Sequence, residues 1–114
     1  MKKYYNKLVR DRIPEIIHNA GNTCETMRLN PEDYRQALKQ KILEEAREIA
    51  DARPEELLTE IADLYEAIDA LLAAHGRSRE EAIALQERRR QERGGFEEQI
   101  QLVWVERHSP PESI

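Results

Sequence analysis

Two pairs of acidic residues carry the chemistry that the sequence suggests most strongly. They are Glu45 with Glu48 and Glu60 with Asp63. Residues three positions apart lie on one face of an α-helix, so each pair presents two carboxylates in the same direction. Carboxylate oxygens are the ligands of hard divalent cations, and Mg²⁺ retains water ligands that substrate phosphates can replace. The four acids therefore predict a Mg²⁺ site, in which Mn²⁺ could substitute.

The opposing interpretation is that these acids form ordinary solvated helix faces. A chain with 23 acidic residues places some of them three apart by chance. Position distinguishes Glu45 from that background. On a helix that turns by about 100° per residue, Leu38, Ile42, Ala46 and Ile49 form an apolar stripe, and Glu45 falls roughly 20° outside it. An ionised carboxylate on this core-facing side is unfavourable unless a cation compensates its charge.

Helix-start signals place the acid pairs on consecutive helices. Asn30 and Pro31 combine a capping side chain with proline at the first helical position, and Ser78 with Glu81 has the spacing of a capping box. A short connection makes the second and third helices antiparallel neighbours, which brings the two pairs together. The pattern predicts four helices, which run from Pro14 to Gly21, from Pro31 to about Ala52, from Pro54 to His75 and from Ser78 to about Glu92.

The predicted third helix is apolar around most of its circumference. Its large apolar side chains cover nearly half of the surface, and alanines line much of the remainder. The large residues are Leu57, Leu58, Ile61, Leu64, Tyr65, Ile68, Leu71 and Leu72. Because little of the helix is left for water, the pattern predicts burial on two sides, in a bundle or across a subunit interface.

The segments outside these helices complete the predicted fold. Residues 23–29 and 96–105 alternate between polar and apolar side chains, which predicts a minor two-stranded β piece, and residues 107–114 are expected to form a loose tail. We therefore predict one mainly α domain over residues 1–114, a small bundle of about four helices. A chain this short and polar is expected to complete its core by forming oligomers.

Composition limits the classes of partner. The net charge of −5 gives no overall positive field that would attract nucleic acid or an anionic membrane. No stretch is apolar enough for a membrane span or a secretory signal. Cys24 is the only cysteine, which favours a reducing compartment, so we expect a cytoplasmic protein. We expect no His or Cys beside Cys24, which is interpreted as a small apolar strand residue and not as a nucleophile.

The acid pairs occur together with two terminal signatures. Residues 7–17 read KLVRDRIPEII, and residues 93–96 read RGGF. The combination resembles the MazG-like superfamily of all-α nucleoside triphosphate pyrophosphohydrolases, in particular a branch with KLVRDxIPEI near the start and RGGF near the end. This branch is usually described as predicted house-cleaning enzymes. The resemblance covers nearly the whole chain.

The resemblance implies an activity and a set of site residues. It implies Mg²⁺-dependent hydrolysis of a standard or modified nucleoside triphosphate to a monophosphate and pyrophosphate, by a homodimer or homotetramer. By the same resemblance, Glu45, Glu48, Glu60 and Asp63 are the catalytic metal ligands. Glu44, or a free oxygen of one of these acids, is a candidate for the general base.

The basic residues at the two ends of the chain are candidates for the substrate phosphates. Arginine suits bidentate contacts with phosphate oxygens. The candidates for these contacts are Lys7, Arg10, Arg89 and Arg93. For the arginines near residue 90 the alternative is a solvated helix face. Lys41, four residues before Glu45, is interpreted as its ion-pair partner on the same helix, with a contact to phosphate as the alternative.

Two alternative functions remain open at this point. One is a phosphoribosyl-ATP pyrophosphohydrolase-like activity, which shares the acidic helix arrangement but lacks the two terminal signatures. The other is a non-catalytic nucleotide-binding or helical assembly module, which would have no need for all four acids.

Overall fold

The computed structural model describes residues 1–108, and in this part of the chain the regular structure is helical. A single turn of 3₁₀ helix, Pro54–Glu56, leads into the third helix. The α-helices are α1 (Ile13–Asn19), α2 (Pro31–Asp51), α3 (Leu57–Ala74) and α4 (Arg79–Arg93). The predicted number of helices and their approximate bounds are confirmed.

The predicted caps form where the sequence placed them. The Asn30 side chain accepts a hydrogen bond from the backbone N–H of Asp33 at 2.8 Å, and Pro31 occupies the first turn of α2. Before α4, the backbone N–H of Glu81 donates to Ser78 Oγ, while the N–H of Ser78 donates to Glu81 Oε1, both at 3.2 Å. These reciprocal bonds are those of a capping box.

Helices α2 and α3 form an antiparallel hairpin, and this pair positions the candidate site. Only residues 52–56 connect them, and the two helices pack against each other. Tyr34, near the start of α2, lines a pocket together with Ala70, near the end of α3. Glu45, in the second half of α2, lies beside Glu60, in the first turn of α3. The start of α2 thus lies near the end of α3, and the second half of α2 lies near the start of α3, as in an antiparallel pair.

The small-residue face of α3 packs against α2. Among the described residues, the buried positions are Leu38, Ala67 and the charged Glu45. By contrast, the large apolar side chains of Leu58 and Tyr65 on α3 are 80% and 53% exposed. Leu57 is exposed as well, whereas the other five large apolar residues of α3 are half-buried. Part of the bulky face of α3 therefore remains open to solvent in the single chain.

The predicted two-stranded β piece is wrong for the described residues. Residues 23–29 and 96–105 belong to no strand within the part of the chain that the structure describes. Phe96 and Trp104, which lie in the second of these segments, are 98% and 74% exposed. A two-stranded ribbon is marginal in water unless one face packs on other structure, and alternation alone does not supply that face.

The chain divides into two compact units, Met1–Glu81 and a second that begins at Ala82. The hairpin and the candidate site lie in the first unit. The second unit holds most of α4, in which Arg90 forms an ion pair with Glu97. The prediction of one domain over residues 1–114 stays a prediction, and residues 109–114 of the expected tail lie outside the described part. No helix in residues 1–108 combines the length and apolar character needed to cross a membrane.

Candidate functional site

Three of the four predicted acids meet at the interface between α2 and α3. One carboxylate oxygen from each of Glu45, Glu60 and Asp63 lies within 4.8 Å of the others. Glu45 projects from α2, and the other two project from the first half of α3. The face of α3 that carries Asp63 also carries the buried Ala67, one turn further on. This alanine-lined face packs on α2, and so Asp63 reaches the site although it lies off the main apolar stripe of its helix.

Glu48, the fourth predicted acid, lies beside this group and not within it. Its side chain is exposed and contacts Glu45. Burial is the largest cause of a raised pKa at Glu45, and the neighbouring carboxyl group of Glu48 raises that pKa further. The Glu45 carboxyl is therefore hard to ionise without a compensating cation.

Two carboxylate oxygens at the site lack hydrogen-bond partners among the described residues. They are Oε2 of Glu45 and Oε2 of Glu60, and both are shielded from solvent. Glu45 as a whole is only 6% exposed. Buried carboxylate oxygens are normally satisfied, because leaving one unpaired costs about 1–3 kcal/mol or more. Oxygen donors with unused lone pairs are a suitable donor set for a hard divalent cation such as Mg²⁺.

Lysine side chains neutralise part of this negative charge. Lys41 Nζ lies 3.5 Å from Glu45 Oε1 and 3.4 Å from Glu44 Oε2, which confirms the predicted ion pair with Glu45. Lys7 Nζ donates to Glu44 Oε1 at 3.1 Å. Burial opposes ionisation of Glu44, but the hydrogen bond from Lys7 and the charge of Lys41 outweigh it, so the pKa of Glu44 is lowered. A carboxylate held by two lysines is a poor general base, which counts against that candidate role.

The N-terminal segment also brings a guanidinium to the acids. Arg10 Nη2 donates to Asp63 Oδ1 at 2.8 Å across 53 positions of the chain. The structure thus places two of the predicted phosphate-binding residues, Lys7 and Arg10, at the acidic site, where both are paired with carboxylates. Arg89 and Arg93 are exposed on α4 in the second unit, and their predicted role stays a prediction.

A pocket of about 160 Å³ adjoins the acids between the N-terminal segment and the hairpin. Glu45 and Asp63 line it together with the apolar side chains Leu8, Tyr34 and Leu38. Our sequence reasoning did not assign Tyr34 or Leu8 to the site. A signal existed for Tyr34, since Tyr34, Leu38 and Glu45 recur on one face of α2. Leu8 had no comparable signal, because its place depends on how a non-helical segment folds back.

The environment of Cys24 differs from the predicted one. Its Sγ lies 3.7 Å from Nε2 of His18, and both side chains are exposed. Two expectations are therefore wrong, namely the apolar strand environment of Cys24 and the absence of a His beside it. The turn that follows α1, which passes through Gly21 in the left-handed region at φ +84°, returns the chain toward His18.

Comparison of the chain with family models, with curated proteins and with solved structures finds no significant match. The function of the chain is therefore inferred from the geometry of the site and from the sequence signatures.

Proposed function

We propose that this protein is a Mg²⁺-dependent nucleoside triphosphate pyrophosphohydrolase of the MazG-like type. It would hydrolyse a standard or modified nucleoside triphosphate to the monophosphate and pyrophosphate, as a house-cleaning enzyme of the cytoplasm. The observation that carries the proposal is the convergence of Glu45, Glu60 and Asp63, two of which have a shielded oxygen without a partner in the described chain. The KLVRD and RGGF signatures supply the link to nucleotides.

The acids fit the cation that the resemblance implies. Glu45, Glu60 and Asp63 would hold Mg²⁺, and Glu48, whose carboxyl group neighbours that of Glu45, is a further proposed ligand. When bound, Mg²⁺ would offset the charge of the phosphate oxygens and make a water molecule more acidic. The buried position of Glu45 fixes its carboxylate by packing, so the donor atoms keep their places before substrate arrives.

The cationic side chains at the edge of the site would bind the substrate. Lys7 and Arg10 lie within reach of the acids and are half exposed, so they can turn toward a triphosphate whose charge the cation shares. Arg89 and Arg93 are further proposed phosphate contacts. The pocket beside Tyr34 offers an apolar wall next to polar groups, as small-molecule sites commonly do.

A homodimer or homotetramer is part of the proposal. Three large apolar residues of α3, Leu57, Leu58 and Tyr65, are exposed in the single chain. An apolar helix face of this kind is typical of an interaction surface. Association through it would complete the small core of the first unit, whereas nucleic acid and membranes are not expected as partners.

The experiment that tests the proposal measures pyrophosphate and monophosphate release from a panel of standard and modified nucleoside triphosphates with Mg²⁺. Glu60→Gln should lower kcat by at least about a hundredfold, because removing a charged group that acts in the transition state is worth several kcal/mol. Glu55→Gln, at an exposed glutamate that pairs only with Arg53 in the described chain, is the matched control and should retain full activity. Undiminished turnover in Glu60→Gln would overturn the assignment of the site.

A further inference from the structure

Within residues 1–108, the side chain of Asp63 makes a single hydrogen bond, which it accepts from Arg10. The acids around the site are therefore compensated unequally. Glu44 has a lysine on each oxygen, and Glu45 has Lys41 on one oxygen. Glu60 forms no ion pair in the described chain. Arg10 is thus the residue outside the hairpin whose positive charge pairs with one of the three acids, Asp63.

The Arg10 side chain can leave Asp63 without disturbing the backbone that carries it. The carbonyl of Arg10 accepts a hydrogen bond from the N–H of Ile13 at 3.1 Å, in the turn that begins α1. Leu8, two residues earlier, is half-buried against the hairpin and lines the pocket. By contrast, the Arg10 side chain is 54% exposed, and a single hydrogen bond holds it. Exposed ion pairs of this kind contribute about 0.2–1 kcal/mol, so little opposes their exchange.

We infer that Arg10 is an exchangeable counterion, which neutralises Asp63 until a divalent cation takes that carboxylate and then turns to the phosphates of the substrate. The inference rests on the proposed function for the nature of the cation and the substrate. Its physical basis is that a guanidinium and a divalent cation compete for Asp63 Oδ1, because two positive charges bound to the same carboxylate oxygen repel each other. A released guanidinium next to a cation-bound triphosphate finds the bidentate acceptor that it prefers.

The exchange makes Arg10 act in opposite directions on the two ligands. Removing its charge eliminates a competitor for Asp63, so cation binding should become tighter. The same change removes a phosphate contact, so nucleotide binding should become weaker. A residue that only supported the fold would weaken both, because loosening the N-terminal segment would loosen the site as a whole.

The test measures Mn²⁺ affinity by isothermal titration calorimetry in the absence of nucleotide, and separately KM and kcat with Mg²⁺ and a triphosphate. The Arg10→Gln variant should bind Mn²⁺ roughly two- to fivefold more tightly, the range expected for loss of an exposed ion pair. Its KM should rise about tenfold for loss of a charge-assisted contact, with a smaller change in kcat. Arg10→Lys should keep Mn²⁺ affinity near that of the wild type, because it keeps the charge.

Arg12→Gln is the matched control, since Arg12 is the arginine closest to Arg10 in the sequence and pairs with Glu15 in α1. It should change neither Mn²⁺ affinity nor KM. If wild type binds Mn²⁺ and Arg10→Gln binds it equally or more weakly, the counterion role is overturned while the proposed function stands. If neither protein binds Mn²⁺, the cation site itself is overturned and the inference with it. Circular dichroism and the thermal midpoint verify that Arg10→Gln retains its fold. If Arg10→Gln unfolds, Arg10→Lys replaces it as the test, and the inference then predicts an unchanged Mn²⁺ affinity together with a raised KM.

Discussion

Glu45 is the residue at which the proposed function and the stability of the fold would oppose each other most clearly. It is a buried carboxylate with one oxygen near Lys41 and the other without a partner in the described chain. Such an arrangement disfavours the folded state when no cation is present, yet it prepares a strong ligand. Stability lost at a site in exchange for function is a general property of binding and catalytic centres.

Glu45→Gln should therefore stabilise the protein at neutral pH while abolishing its proposed activity. We expect the free energy of unfolding to rise by about 1 kcal/mol, because the amide removes a buried charge, with loss of the Lys41 ion pair as a partial offset. Chemical denaturation at pH 7 without divalent cations measures this change. Gln36→Glu, on the same helix at an exposed position, is a control that should leave stability nearly unchanged. A clear loss of stability in Glu45→Gln would contradict this account.

The raised pKa of Glu45 also predicts a pH dependence. Because the folded chain binds this proton more tightly than the unfolded chain, the contribution of Glu45 to stability decreases as pH rises from 4.5, its ordinary value, through the raised pKa. The lowered pKa of Glu44 acts in the opposite sense, since its contribution is lost as pH falls. The difference between wild type and Glu45→Gln isolates the Glu45 part. Thermal midpoints measured from pH 4 to pH 8 should show this difference growing with pH, and a constant difference would contradict it.

At the scale of elements, the helices were predictable because their signals are local. The Asn30 cap, Pro31 and the Ser78–Glu81 capping box each act within four residues of the helix start, and all of them form. The strand prediction failed because alternation in residues 96–105 describes one segment, whereas a sheet needs a partner and a packed face. Local signals thus predicted the positions of the helices but not whether two segments distant in the sequence would pair as strands.

The cap of α2 gives a prediction at this scale. Replacing Asn30 by Ala removes the hydrogen bond to the N–H of Asp33 and should lower the free energy of unfolding by about 1 kcal/mol. Denaturant titration measures it. Asn22→Ala, at an exposed loop position before α2, is the control and should have a smaller effect. Equal effects of the two changes would show that the cap does not stabilise α2.

The candidate site was partly predictable for the same reason. Helical spacing was sufficient to bring Glu45, Glu60 and Asp63 to one interface, given a short connection between α2 and α3. The contact between Arg10 and Asp63 spans 53 positions and involves a segment without periodicity, so no pattern in the sequence indicated it. Spacing also could not separate Glu48 from the other acids, because its exposure depends on the direction in which α3 packs.

At the scale of the whole molecule, the exposed apolar face of α3 leads to a prediction about assembly. Leu58→Glu places a charge on this face and should convert a homodimer or homotetramer into a smaller species. Sedimentation velocity measures the change. Met27→Glu, at a similarly exposed residue outside the helices, is the control and should leave the assembly intact. A wild-type protein that is monomeric at micromolar concentration, or an assembly unaffected by Leu58→Glu, would contradict the proposed interface.

The central claim is that the acids of the α2–α3 hairpin bind a divalent cation and cleave a triphosphate between its α and β phosphates. ³¹P NMR of a reaction with Mg²⁺ and a nucleoside triphosphate tests it most directly, because the spectrum distinguishes pyrophosphate from inorganic phosphate. The account predicts monophosphate and pyrophosphate in equal amounts from the wild type, with none from Asp63→Asn or after addition of a chelator. Release of inorganic phosphate and a diphosphate, or turnover that survives both the chelator and Asp63→Asn, would contradict it.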